Sequence, residues 1–561
     1  MTTSPTPEPA PIPSAYAGRW VALVKGQVVA QGQTREAAFL AARAVRPKEP
    51  LDVVYMPETL PIFHSPLMTL LRQSLPADQP IFLVGGAVRD AVLAREVHDL
   101  DFAVPKGALA FARKLADKLS AAFYPLDGEN DTARLVIIHP DGSRDILDFA
   151  GFRGESLEDD LRGRDFTINA VALDLHSGEL HDPLSGLADL RAKRLRACAE
   201  TSLADDPVRI LRGVRQAAGY GLTIDPATRQ QMKSAASGLP SVSAERLRDE
   251  ILKILAGPQP DIALRALDML NILPHILPEL EAMKGVNQSP PHVQDVWSHT
   301  LSVLRHLEAI LDLLGPQYNE QKSNADVYNG LLVLKLGRYR AQLAEHLSQK
   351  LNTDRPLRAL LFLAALYHDV EKPSTRTVEE SGRIRFFGHD DKGAQTALRR
   401  AIALRLSNDE MDRVKTIITH HMRVHAQTDH QRKGHTISRR AIYRFFRDTG
   451  PAGVDIILHS LADLRATYEH TLPQEIWAAE LDVCRALLEA YWETPEQVVR
   501  PPQVLNGDDL IKELGMTPGR EIGQLLEAIR ENQAEGHIFS REEALAFARG
   551  WLQGHPKGVK K

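Results

Sequence analysis

The chain has 561 residues, 25% of them charged and 43% hydrophobic, with a formal net charge of −5 at pH 7. That length exceeds what one hydrophobic core organises, so several domains are expected, and the near-neutral average excludes a uniformly basic nucleic-acid coat without excluding a local one. The two cysteines, Cys198 and Cys484, lie far apart in charged contexts and no apolar run reaches the length of a membrane span, which together predict a cytoplasmic enzyme with neither a disulfide framework nor a cysteine metal site.

In chain order, residues 1–15 are rich in Pro, Thr and Ser and predict a disordered arm. Residues 16–57 read as a small unit of hairpin, helix and strand, from "WVALVKGQVVAQG", "REAAFLAARAV" and "LDVVYMP". Between 62 and 200, helical and strand patterns alternate: a helix near 65–75, the strand "IFLVGG", a helix after Val88, the strand "LDFAV", the helix "ALAFARKLADKL", and the strands "ARLVIIH" and "RDILDFA". These imply a mixed sheet with flanking helices. From about 201 helical periodicity dominates, giving a neck (201–285), a second helical domain (286–485) with a polar insertion (313–352), and a tail (500–555) after the break "RPPQ". The fold class expected is α+β, a mixed-sheet head followed by helical domains. Nothing in the sequence fixes an oligomeric state.

Chemistry concentrates in "IFLVGGAVRDAVLAREVHDLDFAV" (81–104). Side chains two apart on a strand share a face, so Asp99 and Asp101 form one acidic edge on an otherwise apolar strand. Such a pair repels unless cations lie between the groups, and hard oxygen donors select Mg²⁺ or Mn²⁺. Asp148 of "DILDFA" supplies a third carboxylate from a neighbouring strand, whereas Asp145 faces the other way. Two ions about 3.5–4 Å apart clamp the attacking and leaving oxygens of a phosphoryl displacement. Gly85 and Gly86 would let the backbone approach a triphosphate, with Arg89 adding positive charge. Ordinary acids at a loop edge are the alternative for Asp99 and Asp101.

The run "LVGGAVRDAVL…VHDLDFAV", followed in order by "DLRGRDFTINAVALD" (160–174), "DPLSGLADL" (182–190) and "DDPVRILRGVRQA" (205–217), resembles the class II tRNA nucleotidyltransferases and bacterial poly(A) polymerases. The resemblance implies a nucleotidyltransferase (polymerase-beta-like) head over about 81–255. It also implies Mg²⁺ as cofactor, tRNA, CTP and ATP as partners, and CCA addition without a template, with CC-, A- or poly(A)-addition as alternatives. Arg164, Asp165 and Asn169 would hold sugar, phosphates and local backbone, and Asp206 and Arg209 would contact the incoming base. The segment 205–216 reads as helical, so Asp206, Arg209 and Arg212 form one stripe. A carboxylate that accepts beside a guanidinium that donates matches cytosine and adenine and opposes uracil and guanine. A surface ion pair is the plainer reading of the same residues. Gly163 and Gln216 depart from the residues more common in the family.

A second constellation follows. His299, His368 with Asp369, His389, His421 and Asp463 occur in the order H…HD…D with two further histidines, which resembles the HD phosphohydrolases over about 290–470. His299, His368, Asp369 and Asp463 would ligate a first divalent ion, a transition metal or Mg²⁺, and His389 and His421 a second. Glu371 stands where the family commonly has glycine and is expected to crowd the site. The domain would be a phosphodiesterase or phosphatase acting on 2′,3′-cyclic or related ends, or a retained scaffold. An HD phosphohydrolase with a non-polymerising, RNA-binding head is the reading from another class.

Overall fold

A computed structural model describes residues 19–554 apart from 25–26, 57–59, 77–78, 98, 140, 318–325 and 353–354, so the expected arm 1–15 lies outside the described residues. The chain divides into two bodies, one formed by residues up to 209 plus 222–231, the other by 210–221 and everything from 232 onward.

The first body begins with the expected hairpin, helix and strand. Strand β1 (Arg19–Val24) pairs antiparallel with both β2 (Gln27–Gly32) and β3 (Asp52–Met56), and α1 (Arg35–Val45) starts where the Thr34 side chain accepts the Ala37 N–H.

The remaining elements of this body are α2 (Pro66–Ser74), β4 (Phe82–Val84), α3 (Gly86–Val92), β5 (Asp99–Val104), α4 (Ala108–Leu119), β6 (Ala122–Asp127), β7 (Thr132–Ile138), β8 (Arg144–Gly151), α5 (Leu157–Arg162), β9 (Ala172–Asp174) and β10 (Leu180–His181). They build a seven-stranded mixed sheet in the order β10-β9-β4-β5-β8-β7-β6, with β5 and β8 parallel and the other neighbouring pairs antiparallel. Strand alternation decides which face is apolar. Leu100, Phe102 and Val104 of β5, Ala133 and Leu135 of β7, and Leu147 and Phe149 of β8 pack in one cluster with Met68, Leu71, Val88, Phe111 and Leu115 from α2, α3 and α4. Phe102 and Phe149, opposite each other in register, stack at 4.9 Å. The intervening side chains Asp99, Asp101, Arg134 and Asp148 therefore share the face turned away from these helices.

After β10 the first body continues through α6 (Gly186–Arg191), β11 (Arg194–Leu195) and α7 (Ser202–Asp205), and α8 (Val208–Tyr220) then runs into the second body.

In the second body the helices Val296–Leu313 and Ala452–Tyr468 pack along each other, and the helix Leu357–Tyr367 packs against both Val296–Leu313 and Asn408–His420. Leu357 and every residue from Ala359 to Tyr367 are buried. A helix apolar all round can sit only at the centre of a core, and this one therefore delivers the residues at its carboxy end, His368 and Asp369, to a buried position. Residues 313–352, expected to be an insertion, include the helices Val327–Leu336 and Arg340–Ser348, the first packed on Gln474–Trp492, with Lys335 bonded to Asp482 at 2.5 Å. The tail is three helices, Gly507–Leu514, Arg520–Glu535 and Arg541–Gly554, around Leu510, Leu525 and Ile529. It is tied to the helix Arg439–Thr449 by a ladder in which Arg440, Arg444 and Arg447 meet Glu535, Glu531 and Glu527 at 2.7, 2.6 and 2.9 Å. Among the described residues no helix is long and apolar enough to cross a membrane.

Candidate functional site

The expected third carboxylate lies where strand parity puts it. Asp101 of β5 is the direct register partner of Asp148 on the parallel strand β8, and Asp99 lies two residues earlier on the same face. Asp145 belongs to the opposite parity and pairs with His139 at 2.7 Å. Asp99 and Asp101 are exposed and Asp148 half-buried. One cation joined to them had no signal in the linear sequence: Arg134 of β7, opposite Asp148 in register, donates from Nε and Nη2 to the two Asp148 oxygens at 2.8 Å each.

The glycine turn abuts these acids. Gly85 has φ +75, and a Cβ there would stand 3.2 Å from Arg164 Nη1 and 3.6 Å from Asp101 Oδ2. Arg164 is aimed by Asp160, whose Oδ2 accepts from its Nε and Nη2 at 3.1 and 2.8 Å, leaving Nη1 directed at the turn. Gly85→Ala combines about 1–3 kcal/mol of backbone strain with crowding of Arg164 and Asp101. It is expected to lower kcat/KM for nucleotide ~10- to 100-fold in a steady-state incorporation assay. Gly86 carries no positive φ, and its Cβ would meet Arg89 Nη2 at an ordinary 3.4 Å, so Gly86→Ala is expected to be far milder.

Arg89, expected to add positive charge here, has a buried guanidinium that donates to both Asp90 oxygens at 2.9 and 2.8 Å and to Asn169 Oδ1 at 2.6 Å. Asn169 in turn donates to Asp165 Oδ1 at 2.9 Å, and the same oxygen accepts the Phe166 N–H at 2.8 Å. Arg89, Asn169 and Asp165 thus form a buried chain that fixes the backbone carrying Arg164, the local-backbone part of the role expected for Asp165 and Asn169.

The pair expected to contact the base, Asp206 and Arg209, is assembled differently from the helical stripe the sequence suggested. Asp206 has φ −147 and ψ 90, in the break between α7 and α8, so it is not one turn before Arg209 on a helix. Pro207 disfavours helical backbone at the residue before it, which accounts for the break. The two side chains still meet, Arg209 Nε lying 3.6 Å from Asp206 Oδ2. Arg209 also donates to the carbonyls of Ser202 and Gly163 at 3.1 Å and Arg164 at 3.4 Å. Arg212, three residues further along α8, falls in the second body. Arg153, which the motif reading passed over, joins this basic group: burial and then the neighbouring Arg164 and Arg209 cations push its pKa down, against Asp160 and Asp165. Arginines crowded against one another favour an anionic ligand. Cys198 is no reactive thiol; burial, followed by Asp165, pushes it up to about 12.

In the second body six expected ligands converge. His299 Nε2 is 2.9 Å from Asp463 Oδ1, and His368 Nε2 is 3.0 Å from Asp369 Oδ2. Donor atoms of His299, His368 and Asp463 form one group and those of Asp369, His389 and His421 another, the atoms of each within 4.8 Å of one another. Asp369 spans the two, its Oδ1 lying 3.5 Å from His389 Nε2. The Nδ1 atoms of His368, His389 and His421 lie 2.8, 2.7 and 2.6 Å from the carbonyls of Ala365, Phe386 and Ile418. Donation of Nδ1–H there leaves each Nε2 a lone pair aimed inward, the arrangement by which proteins present imidazole to a metal. The groups open on a cavity of about 600 Å³ also lined by His292, Lys372, Arg383, Arg385 and Arg432. Sequence reasoning missed His425, which lies 2.9 Å from Asp463 Oδ2 and 3.1 Å from Glu480 Oε1, and His459, one turn before Asp463, whose ring centre is 4.8 Å from that of His368. Glu371 does not crowd the site; its carboxylate accepts from the Ser374 hydroxyl and from Thr396 at 2.5 Å, and it is not among the cavity-lining residues.

The comparisons with known proteins agree with this division. Residues 81–196 match the poly A polymerase head domain, 221–284 the probable RNA and SrmB-binding site of polymerase A, and 339–449 the HD domain. His299 and Asp463 lie outside that last span and are brought to it by the fold. A CC-adding tRNA nucleotidyltransferase of Thermus thermophilus is 32% identical, covering 84% of this chain and 94% of that protein. An A-adding tRNA nucleotidyltransferase of Deinococcus radiodurans is 30% identical, covering 86% and 99%. A solved CCA-adding enzyme in complex with CTP shares the fold at a TM-score of 0.57 and 22% identity, over 88% of this chain and 98% of that one. With relatives this similar along nearly their whole length, and with a polymerase head carrying its acids in register, the chain belongs to the tRNA nucleotidyltransferase family, with an HD domain in its helical half.

Proposed function

We propose that this chain builds the CCA end of tRNA in the cytoplasm, joining C and A residues from CTP and ATP to the 3′ hydroxyl with release of pyrophosphate. The observation that carries the reading is the register of Asp101 with Asp148, with Asp99 on the same face, beside a glycine turn and Arg164. The donors on this edge are all carboxylate oxygens, a set suited to Mg²⁺, with Asp99 and Asp101 as ligands. A divalent ion held by Asp99 and Asp101 would supply acidification of the attacking hydroxyl and positive charge opposite the leaving pyrophosphate. Arg164 and Arg153 offer positive charge to the triphosphate, the Gly85 turn admits it, and Asp206 with Arg209 reads the amino group and ring nitrogen shared by cytosine and adenine. The two unpaired cysteines agree with a reducing compartment.

A narrower reading has its own support. The relatives aligned along most of this chain include CC-adding enzymes of Thermus thermophilus and Synechocystis, at 32% and 31% identity, and an A-adding one, whereas Multifunctional CCA proteins of Xanthomonas campestris match 37% of it. Purified chain with Mg²⁺ and labelled CTP or ATP, given tRNA that ends before CCA, after the first C, or after CC, separates the readings. Incorporation of C on the first two and A on the third is expected for the whole reaction. C without A identifies a CC-adding enzyme, and no incorporation on any tRNA removes the polymerase reading.

The second centre is a phosphoesterase site in which His299, His368, Asp369, His389, His421 and Asp463 hold divalent metal, acting on 2′,3′-cyclic or related phosphate ends. Four histidines and two aspartates in two adjoining groups, three of the histidines with Nε2 aimed inward, beside a cavity with Lys372 and three arginines support this. His368→Ala is expected to remove phosphodiesterase activity while leaving nucleotide incorporation within about twofold of the parent chain, measured in parallel on the same preparations. Absence of hydrolysis in the parent itself would mark the domain as a scaffold.

A further inference from the structure

The pairing of Arg134 with Asp148 has a consequence for metal loading. Both Asp148 oxygens accept from Arg134, at 2.8 Å each, from directly across the β7–β8 pair. A bidentate guanidinium takes the lone pair of each oxygen that faces it and offsets the carboxylate's charge, leaving a divalent ion only the remaining lone pairs of a neutralised group. Arg134 also faces the other two acids: its pKa is raised first by its bond to Asp148 and further by the charges of Asp99 and Asp101. Three carboxylates and one guanidinium leave a formal charge of −2 on this edge, which one divalent ion neutralises. Taking a second ion onto Asp148 with its full charge therefore means displacing Arg134.

We propose that Arg134 is an internal counter-ion that competes with divalent metal for Asp148, so that the free head holds metal weakly and Asp148 becomes available once a further anion, the triphosphate, has arrived to attract the guanidinium. Arg134 acts through Asp148 and is a positioning residue. The inference rests on the metal reading of Asp99 and Asp101.

The test is Mn²⁺ binding to the full chain without nucleotide, read from the electron paramagnetic resonance signal of free Mn²⁺. The metal groups of the helical half are the same in every variant and cancel in the comparison. Arg134→Gln releases the charge of Asp148 to the ion and is expected to tighten Mn²⁺ binding about three- to tenfold. Arg134→Lys keeps the charge and should stay within about twofold of the parent. In an Asp148→Asn background the Arg134→Gln gain should vanish. A purely structural Arg134 would lower the melting temperature without tightening Mn²⁺. The proposal is overturned if Arg134→Gln binds Mn²⁺ no more tightly than the parent, or if the gain survives in Asp148→Asn. If Asp101→Ala binds as much Mn²⁺ as the parent, the underlying metal reading fails first.

Discussion

Asp101→Ala is expected to lower nucleotide incorporation at least ~10³-fold without unfolding the protein. The side chain is exposed on a strand whose apolar residues face the other way, so its removal leaves the core of Leu100, Phe102 and Val104 untouched. Deleting one of three like charges relieves repulsion, and the melting temperature should hold or rise slightly. The loss is therefore chemical: Asp101 is the carboxylate that both faces Asp148 in register and lies against the Gly85 turn. Asp145→Ala is the matched control. It removes an acid from the same strand as Asp148 but from the opposite face, where it pairs with His139, and incorporation should stay near the parent rate. Single-turnover incorporation with thermal melts on all three chains checks this. Substantial activity in Asp101→Ala would mean that the acids on this face are not the reacting edge.

The head's site was legible because a strand's period of two is rigid. Asp99 and Asp101 share a face whatever the rest of the chain does, and parity alone separates Asp148 from Asp145. Arg134 and Arg153 were not legible for the complementary reason: each meets its partners only through pairings between segments, β7 on β8 for one and the packing around Gly163 for the other. The bond from Arg89 to Asn169 was equally hidden, because only the fold brings the two residues together across 80 positions. Strands β9 and β10, of three and two residues, were missed because little periodicity fits in so few positions, and β6 because Pro125 interrupts it and its last four residues are exposed, leaving no alternation to read.

The HD half shows the same divide. The order of His299, His368, Asp369, His389, His421 and Asp463 was readable, and all six converge. The environment of Glu371 was not readable, because the hydroxyls of Ser374 and Thr396 that draw its carboxylate aside come from two different helices. His425 and His459 join the centre by lying one turn along, or one helix across, from residues the motif names, a proximity that linear spacing does not mark.

Arg209→Ala should reach beyond base choice. Its Nη atoms donate to the carbonyls of Gly163, Arg164 and Ser202, so its loss loosens the loop that aims Arg164 as well as the pair it makes with Asp206. Hydrogen bonds to a charged group contribute about 1.5–3 kcal/mol each, so kcat/KM for CTP is expected to fall ~10²-fold or more. Discrimination against UTP should shrink as well, because uracil presents N–H where cytosine presents a lone pair, and only an intact guanidinium opposes it. Arg209→Lys separates the two effects. A single ammonium cannot serve three carbonyls and a base edge in a fixed fork, yet it keeps the charge, so it should recover part of the rate and little of the discrimination. The measurement is the ratio of kcat/KM values for CTP and UTP on one tRNA in all three chains. A ratio unchanged in Arg209→Ala would assign base reading elsewhere and leave Arg209 as the clasp of the Gly163–Arg164 loop.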